Sequence, residues 1–262
     1  MTHPFLATAI VGYTLGIVMA SLATVYRSLL ARRIASVVFV LTWVAHLAAV
    51  VRAGIEARGI PLSSLGEYLL MLGWIVMTLH LYVWFRHRVY VAGLVLPPIA
   101  ALSAIGAMQL LSDDPARGAG GQGPWFLFHT TVATLGMAIL SLAFAMSVIY
   151  LIQDRALKSK KTLRLIERLP DLEKADHVGH QALIVGFILL TLGIGTGVII
   201  NSSYHAQLWV PGPKQIFPLL AWIVFAVILA SRTALGFRGR KSAYLTIAGF
   251  ALGLLTILGM TL

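Results

Sequence analysis

Histidine is the side chain best able to do chemistry in this 262-residue sequence, with eight imidazoles and no cysteine at all. A neutral imidazole ligates iron, zinc or copper and changes charge near neutral pH. The lack of cysteine removes disulfides, thiolate metal sites and thiol catalysis, so any thiol the protein works with belongs to another molecule. His129 has the most suggestive setting, at the end of Pro124-Trp125-Phe126-Leu127-Phe128. Aromatic rings beside an imidazole suit a flat, apolar, iron-bearing macrocycle, which needs an axial nitrogen and a greasy slot. The same rings also make an ordinary interfacial belt. His46 and His205 are the other two imidazoles that could share that end of the molecule, alongside Trp125, Trp209, Tyr204 and Lys214. Packing is the alternative role for each histidine, and interfacial anchoring for the aromatics. Ser64 and Glu67 have the three-residue spacing of a capping box at a helix start. The functional alternative pairs Glu67 with Arg52, to shape a site or meet a propionate.

These groups must be positioned by membrane-spanning elements. The composition is 59% hydrophobic and 11% charged with a mean hydropathy of +0.89, far from the quarter of charged residues that is roughly typical of soluble domains. About 20 apolar residues cross a hydrocarbon core, and eight such runs occur, at about 5–25, 34–53, 65–85, 89–111, 125–152, 178–200, 216–231 and 243–261. Without strict alternation they read as helices rather than barrel strands. The expectation is an all-α, polytopic bundle of eight transmembrane helices forming one integral membrane domain over residues 1–262. Pro97-Pro98 is the one conspicuous break.

Orientation follows from the basic residues. Sixteen of the twenty Lys and Arg residues fall in alternate loops, around 27–33, 86–88, 155–174 and 232–241. The positive-inside rule puts those loops in the cytoplasm and both termini outside. The formal charge of +11 thus marks membrane loops rather than a nucleic-acid surface. His46, His129 and His205 then form an outer set, and His80, His87, His177 and His180 an inner one. Thr162 to Lys174 has the makings of a short amphipathic surface helix, and the Gly-rich stretch 112–124 of an outer lip. The first apolar run lacks a preceding basic residue, unlike a cleavable signal, and reads as a retained helix.

Three separated stretches resemble the cytochrome c assembly superfamily that includes CcsA, CcmC and the HemX-like proteins. Pro61-Leu-Ser-Ser-Leu-Gly-Glu-Tyr-Leu-Leu-Met-Leu-Gly-Trp74 is similar to the family's PLSNLYESLLFLAW stretch. Pro124-Trp-Phe-Leu-Phe-His129 resembles its external WLxxHV element, which implies that His129 is an axial haem ligand. Gly186-Phe-Ile-Leu-Leu-Thr-Leu-Gly-Ile-Gly-Thr-Gly197 resembles the GFxLLTxGIxxG helix that leads into a haem-presenting loop, and Gly236-Phe-Arg-Gly-Arg240 resembles its GWRGR ending. Of the family's tryptophan-rich signature, Trp209 and Pro213-Lys214 remain, which places the chain nearest the shorter HemX-like branch.

The resemblance implies a haem-handling protein of cytochrome c biogenesis in a bacterial inner membrane. It would present haem b at the outer face, with His129 as axial ligand, His46 or His205 as the second, and Trp125, Trp209, Arg52, Glu67 and Lys214 around them. Its partners would be lipid, other assembly subunits and apocytochrome c. It would not be a stand-alone enzyme, though it could be a subunit of a haem lyase. Two other readings compete with this one. The first is a HemX-like regulator of haem synthesis acting through the basic 153–177 stretch. The second is an ion- or proton-coupled transporter built on Glu67, Arg52 and membrane histidines.

Overall fold

In a computed structural model, residues 3–111, 123–158, 172–205, 212–235 and 239–259 are described. Among these residues the secondary structure is helical throughout, with no strand. The eight long helices are α1 (His3–Tyr26), α2 (Leu29–Ala57), α3 (Leu65–Tyr82), α4 (Leu96–Leu110), α5 (Pro124–Lys158), α6 (Leu172–His205), α7 (Pro213–Leu235) and α8 (Arg240–Leu258). Among the described residues seven helical spans are long and apolar enough to cross a membrane, the fourth running from Tyr90 to Leu110, where sequence led us to expect eight. The exception is α8, which opens on Arg240 and Lys241. The helices divide into two compact units, α1–α4 and α5–α8.

In the first unit, α1 and α2 run antiparallel around a tight turn at Arg27, whose backbone is left-handed (φ 54°). Ser28 caps α2 by accepting a hydrogen bond from the Ala31 N–H at 3.1 Å. Side chains are missing where the two helices meet most closely. A Cβ on Gly12 would fall 2.2 Å from Thr42 Oγ1, and one on Gly16 would fall 2.4 Å from Phe39 Cε1. Close approach through small residues is the expected basis of helix association in lipid, where burial of apolar surface offers no gain. Helix α2 ends on Arg58, also left-handed, whose N–H and that of Gly59 return to the last-turn carbonyls.

The start of α3 bears out the capping box. The Glu67 N–H donates to Ser64 Oγ at 3.2 Å, and the Glu67 carboxylate accepts from the Ser63 and Ser64 N–H groups at 2.6 and 3.3 Å. After Tyr82 the helix loosens into a π turn, Val83–His87, passes a left-handed Arg88, and forms a 3₁₀ turn, Tyr90–Leu94. Pro97 then sits in the first turn of α4, a position that needs no N–H donor. Pro97-Pro98 therefore helps start this helix, and the break the sequence suggested falls just before it, at Val95, inside the span Tyr90–Leu110.

In the second unit the core is the antiparallel pair α5 and α6. Glycines of α6 descend α5 in register. Cβ atoms on Gly179, Gly186 and Gly197 would meet Met146, Leu140 and His129 at 3.0, 2.7 and 3.1 Å, and one on Gly193 would meet Ala133 at 3.9 Å. Helix α7 joins this pair through a stack of Trp222 on Phe187, with centroids 5.5 Å apart, and the Trp222 indole N–H donates to Thr191 Oγ1 at 2.9 Å. Helix α8 packs on α5 through stacked Phe250 and Phe144. Segment 162–171, where the surface helix was expected, lies outside the described residues, as do 112–122.

Candidate functional site

His129 lies on the second turn of α5, half-buried, facing the glycine-rich end of α6. Its Nδ1 is 3.0 Å from the Gly193 carbonyl oxygen and 3.0 Å from Thr196 Oγ1. A carbonyl can only accept, so Nδ1 carries the proton and donates. The lone pair is thereby fixed on Nε2, which makes no hydrogen bond among the described residues. Thr196 directs its own hydroxyl proton to Leu192 O at 2.8 Å, leaving oxygen lone pairs toward the ring. Gly197 makes this possible, because the absence of a side chain there leaves the space that the ring fills.

An imidazole tied through one nitrogen to a backbone carbonyl, with the other nitrogen free, is the usual form of a metal-ligating histidine. The outer hydrogen bond sets tautomer and ring angle and raises ligand basicity. Trp125, one turn earlier and 60% exposed, meets Phe128 edge to face at 6.3 Å. Both rings stand on the exposed side of the helix start, so they leave the imidazole half open. No group of three or more His, Asp or Glu that could hold a bare metal ion occurs among the described residues. A lone imidazole with one nitrogen open can serve as a single donor to a metal that brings its other ligands with it.

The other predicted residues fall in different places. His46 lies in the first unit and is fully buried, with its Nδ1 hydrogen-bonded to the Tyr13 hydroxyl at 2.8 Å. Its ring is wedged where α3 has no side chain, since a Cβ on Gly73 would come within 3.0 Å of Cε1. Arg52 pairs with Glu56, one turn on, at 2.9 Å. The expected partner, Glu67, spends its carboxylate on the capping box, so its role here is local. His205 is the last residue of α6, Lys214 lies in the first turn of α7, and Trp209 is outside the described residues.

Sequence reasoning missed three features. Tyr13 is the buried partner of His46, on a helix with no polar pattern to flag it. His80 is fully buried against Phe39 and Trp84 at 4.7 and 5.3 Å, and neither ring nitrogen has a partner among the described residues. Arg232, which reads as a loop cation, belongs to α7 and forms a two-pronged ion pair with Asp176 of α6, one N–H···O distance being 3.0 Å. This pair borders a small cleft beside Tyr150, at the other end of α5 from His129.

Comparison with known proteins places the chain among relatives. Residues 1–262 match the family model described as cytochrome C assembly protein. "Cytochrome c biogenesis protein CcsA" of Guillardia theta is 26% identical over 225 residues, 79% of this chain and 75% of the relative. The protein of that name from Gloeothece citriformis is 26% identical over 260 residues, 79% and 78% of the two chains. That from Trieres chinensis is 29% identical over 227 residues, 75% and 73% of the two chains. Among solved structures, "Cytochrome c Heme Lyase CcmF" superposes with a TM-score of 0.71 at 16% identity, covering 99% of this chain and 46% of that one. The likeness to CcmF is one of fold, and the chain spans about half its length.

Proposed function

Since the chain belongs to the cytochrome c assembly protein family, we propose that it is a multi-pass membrane protein of cytochrome c biogenesis that holds haem through His129. The observation that supports this most directly is the direction of the His129 hydrogen bond. Nδ1–H is committed to the Gly193 carbonyl and Nε2 is left as the donor atom. His129 also lies at the end of the second unit that the basic-residue bias assigns to the extracytoplasmic side of a bacterial inner membrane.

Haem, when bound, supplies the iron and the vinyl groups to which apocytochrome thiols become attached. This chain has no thiol to contribute. Its own part is to hold and orient. Gly193 and Thr196 fix the imidazole, Gly197 leaves room for it, and exposed Trp125 and Phe128 offer aromatic surface next to it. His205, eight residues beyond Gly197 or about 12 Å along α6, is the preferred candidate for the second axial position. His46 is the alternative, and its complete burial would have to be relieved first. Trp209, which follows α6 in the sequence, and Lys214, in the first turn of α7, are proposed to meet the macrocycle and a propionate. Haem b is the expected form, with other assembly subunits and apocytochrome c as partners.

The test is the absorption spectrum of the purified protein after expression with surplus haem. Wild type should show a Soret band, His129→Ala should lose most of it, and His129→Gly should regain it with added imidazole. A Soret band of the same height and position in His129→Ala would refute the assignment of this ligand. Absence of haem from every preparation, including the wild type, would refute haem binding itself.

A further inference from the structure

Toward its end, helix α6 reads Leu192-Gly-Ile-Gly-Thr-Gly-Val198, with three glycines in five residues. Each weakens a helix interior relative to alanine. Packing asks for a glycine only at Gly197, where a Cβ would press on the His129 ring at 3.1 Å. One on Gly193 would make an ordinary contact with Ala133 at 3.9 Å, and one on Gly195 would meet nothing within 4 Å. Thr196 softens the stretch further. Its hydroxyl donates to the Leu192 carbonyl, four residues back, at 2.8 Å, and back-bonding of this kind bends helices. We propose that residues 193–197 are a hinge, that His129 pins it shut, and that haem enters and leaves its site when the pin lets go. The haem part rests on His129 as axial ligand; the hinge itself does not.

Before the hinge, α6 is held from two sides. Trp222 of α7 stacks on Phe187 and donates its indole N–H to Thr191 Oγ1 at 2.9 Å, while α5 closes on Gly186, where a Cβ would fall 2.7 Å from Leu140. Beyond the hinge, α6 runs on to His205. Ile199 is 51% exposed there, and the Ser202 hydroxyl donates within its own helix, to Ile199 O at 2.8 Å. Between these two stretches, His129 is where α5 grips the soft turn.

The grip works through one proton. Nδ1–H lies 3.0 Å from Gly193 O and 3.0 Å from Thr196 Oγ1, acceptors three residues apart with Gly195 between them. They meet at one point only while this turn is helical. A carbonyl oxygen has two lone pairs, so Gly193 O can serve the helical ladder and the imidazole together. Opening the turn parts the two acceptors and frees the ring whose angle they set. A ligating imidazole depends on that angle and tautomer, so the open turn is the state in which an axial bond is weakest. With the turn shut, iron on Nε2 draws density from the ring and makes Nδ1–H a stronger donor, which tightens the pin.

A hinge of this kind gates entry and exit alike, so stiffening it slows both and leaves the binding equilibrium where it was. Gly195→Ala is the clean perturbation, because its methyl has room. The experiment uses the full chain in lipid nanodiscs. Hydrogen–deuterium exchange read by mass spectrometry follows residues 194–205, with 180–190 as internal reference, and release of bound haem into excess apomyoglobin is timed by its Soret band. Gly195→Ala should slow both the exchange of 194–205 and the release of haem by roughly two- to fivefold, with the midpoint of a haem titration at the wild-type value. Without haem, His129→Ala should speed exchange of 194–205 by roughly fivefold through the lost hydrogen bond, with 180–190 unchanged. Should that variant not fold, Thr196→Val, which keeps the shape and removes one acceptor, should show a smaller increase. Equal exchange in wild type and these variants would overturn the hinge. Slower exchange in Gly195→Ala with haem release at wild-type speed would overturn the gate and leave the ligand assignment standing. A wild type that takes up no haem would refute the ligand assignment and the gate together, and the haem-free exchange would still decide the hinge.

Discussion

Two glycines a half-turn apart on α6 give a controlled test of how the His129 imidazole is held. A Cβ on Gly197 would lie 3.1 Å from His129 Cε1, 3.6 Å from Nδ1 and 3.9 Å from Nε2, whereas one on Gly195 would meet nothing within 4 Å. Both substitutions to Ala carry the same helix-propensity gain, measured at up to about 1 kcal/mol in water, so that contribution cancels in the comparison. Gly197→Ala also inserts a methyl against an aromatic ring, an overpacking that typically costs 1–3 kcal/mol, written here as about 2 kcal/mol. The ring can relieve it by moving a few tenths of an ångström, which lengthens the 3.0 Å bond from Nδ1 to Gly193 O. Losing much of that bond, worth about 1 kcal/mol, corresponds to roughly a three- to fivefold weakening of haem binding. Soret titration of the apoprotein with haem should show that weakening in Gly197→Ala and wild-type behaviour in Gly195→Ala. Identical titrations for the two variants would refute the placement of the ring against Gly197, and with it the account of the ligand's orientation.

Thr196→Val preserves shape and removes the second acceptor of His129 Nδ1–H. Haem affinity should fall two- to threefold and the Soret maximum should shift, as titration would show. In the first unit, Gly12→Ala forces a methyl against Thr42, and Gly16→Ala forces one against Phe39; each should cost about 1–3 kcal/mol, seen as a lower unfolding temperature. Ser64→Ala should cost about 1 kcal/mol through loss of the α3 cap, without changing haem content. Arg232→Gln leaves Asp176 half-buried without its partner, at a cost of roughly 3 kcal/mol. The exchanged pair, Arg232→Asp with Asp176→Arg, should recover part of that in thermal unfolding.

Much of this fold could be read from apolar run length, because a spanning helix must satisfy its own backbone and so leaves an unbroken hydrophobic stretch. The Ser64–Glu67 cap was legible for a related reason, since both partners are three residues apart. Helix ends were harder. α5 continues to Lys158 and α6 begins at Leu172, because polar residues past the apolar run remain helical where nothing stops them. The π turn at Val83–His87 and the 3₁₀ turn at Tyr90–Leu94 left no compositional trace. Within the site, the candidate imidazole stood out by its aromatic neighbours, whereas its acceptor is 64 positions away and depends on the pairing of two helices. The same holds for Tyr13 with His46 and Asp176 with Arg232. Each partner is unremarkable in its own segment, and only tertiary packing joins them.

The matched descent of α6 glycines along α5 has a consequence for how such a protein can vary. Each residue added to an α-helix turns everything beyond it by about 100°. One extra residue inserted between His129 and Leu140 would swing the imidazole away from Gly193 O while leaving the lower contacts, Gly179 on Met146 and Gly186 on Leu140, intact. The top of α5 is therefore phase-locked to the glycine ladder. Insertions or deletions there should survive only when paired with a matching change in the facing stretch of α6.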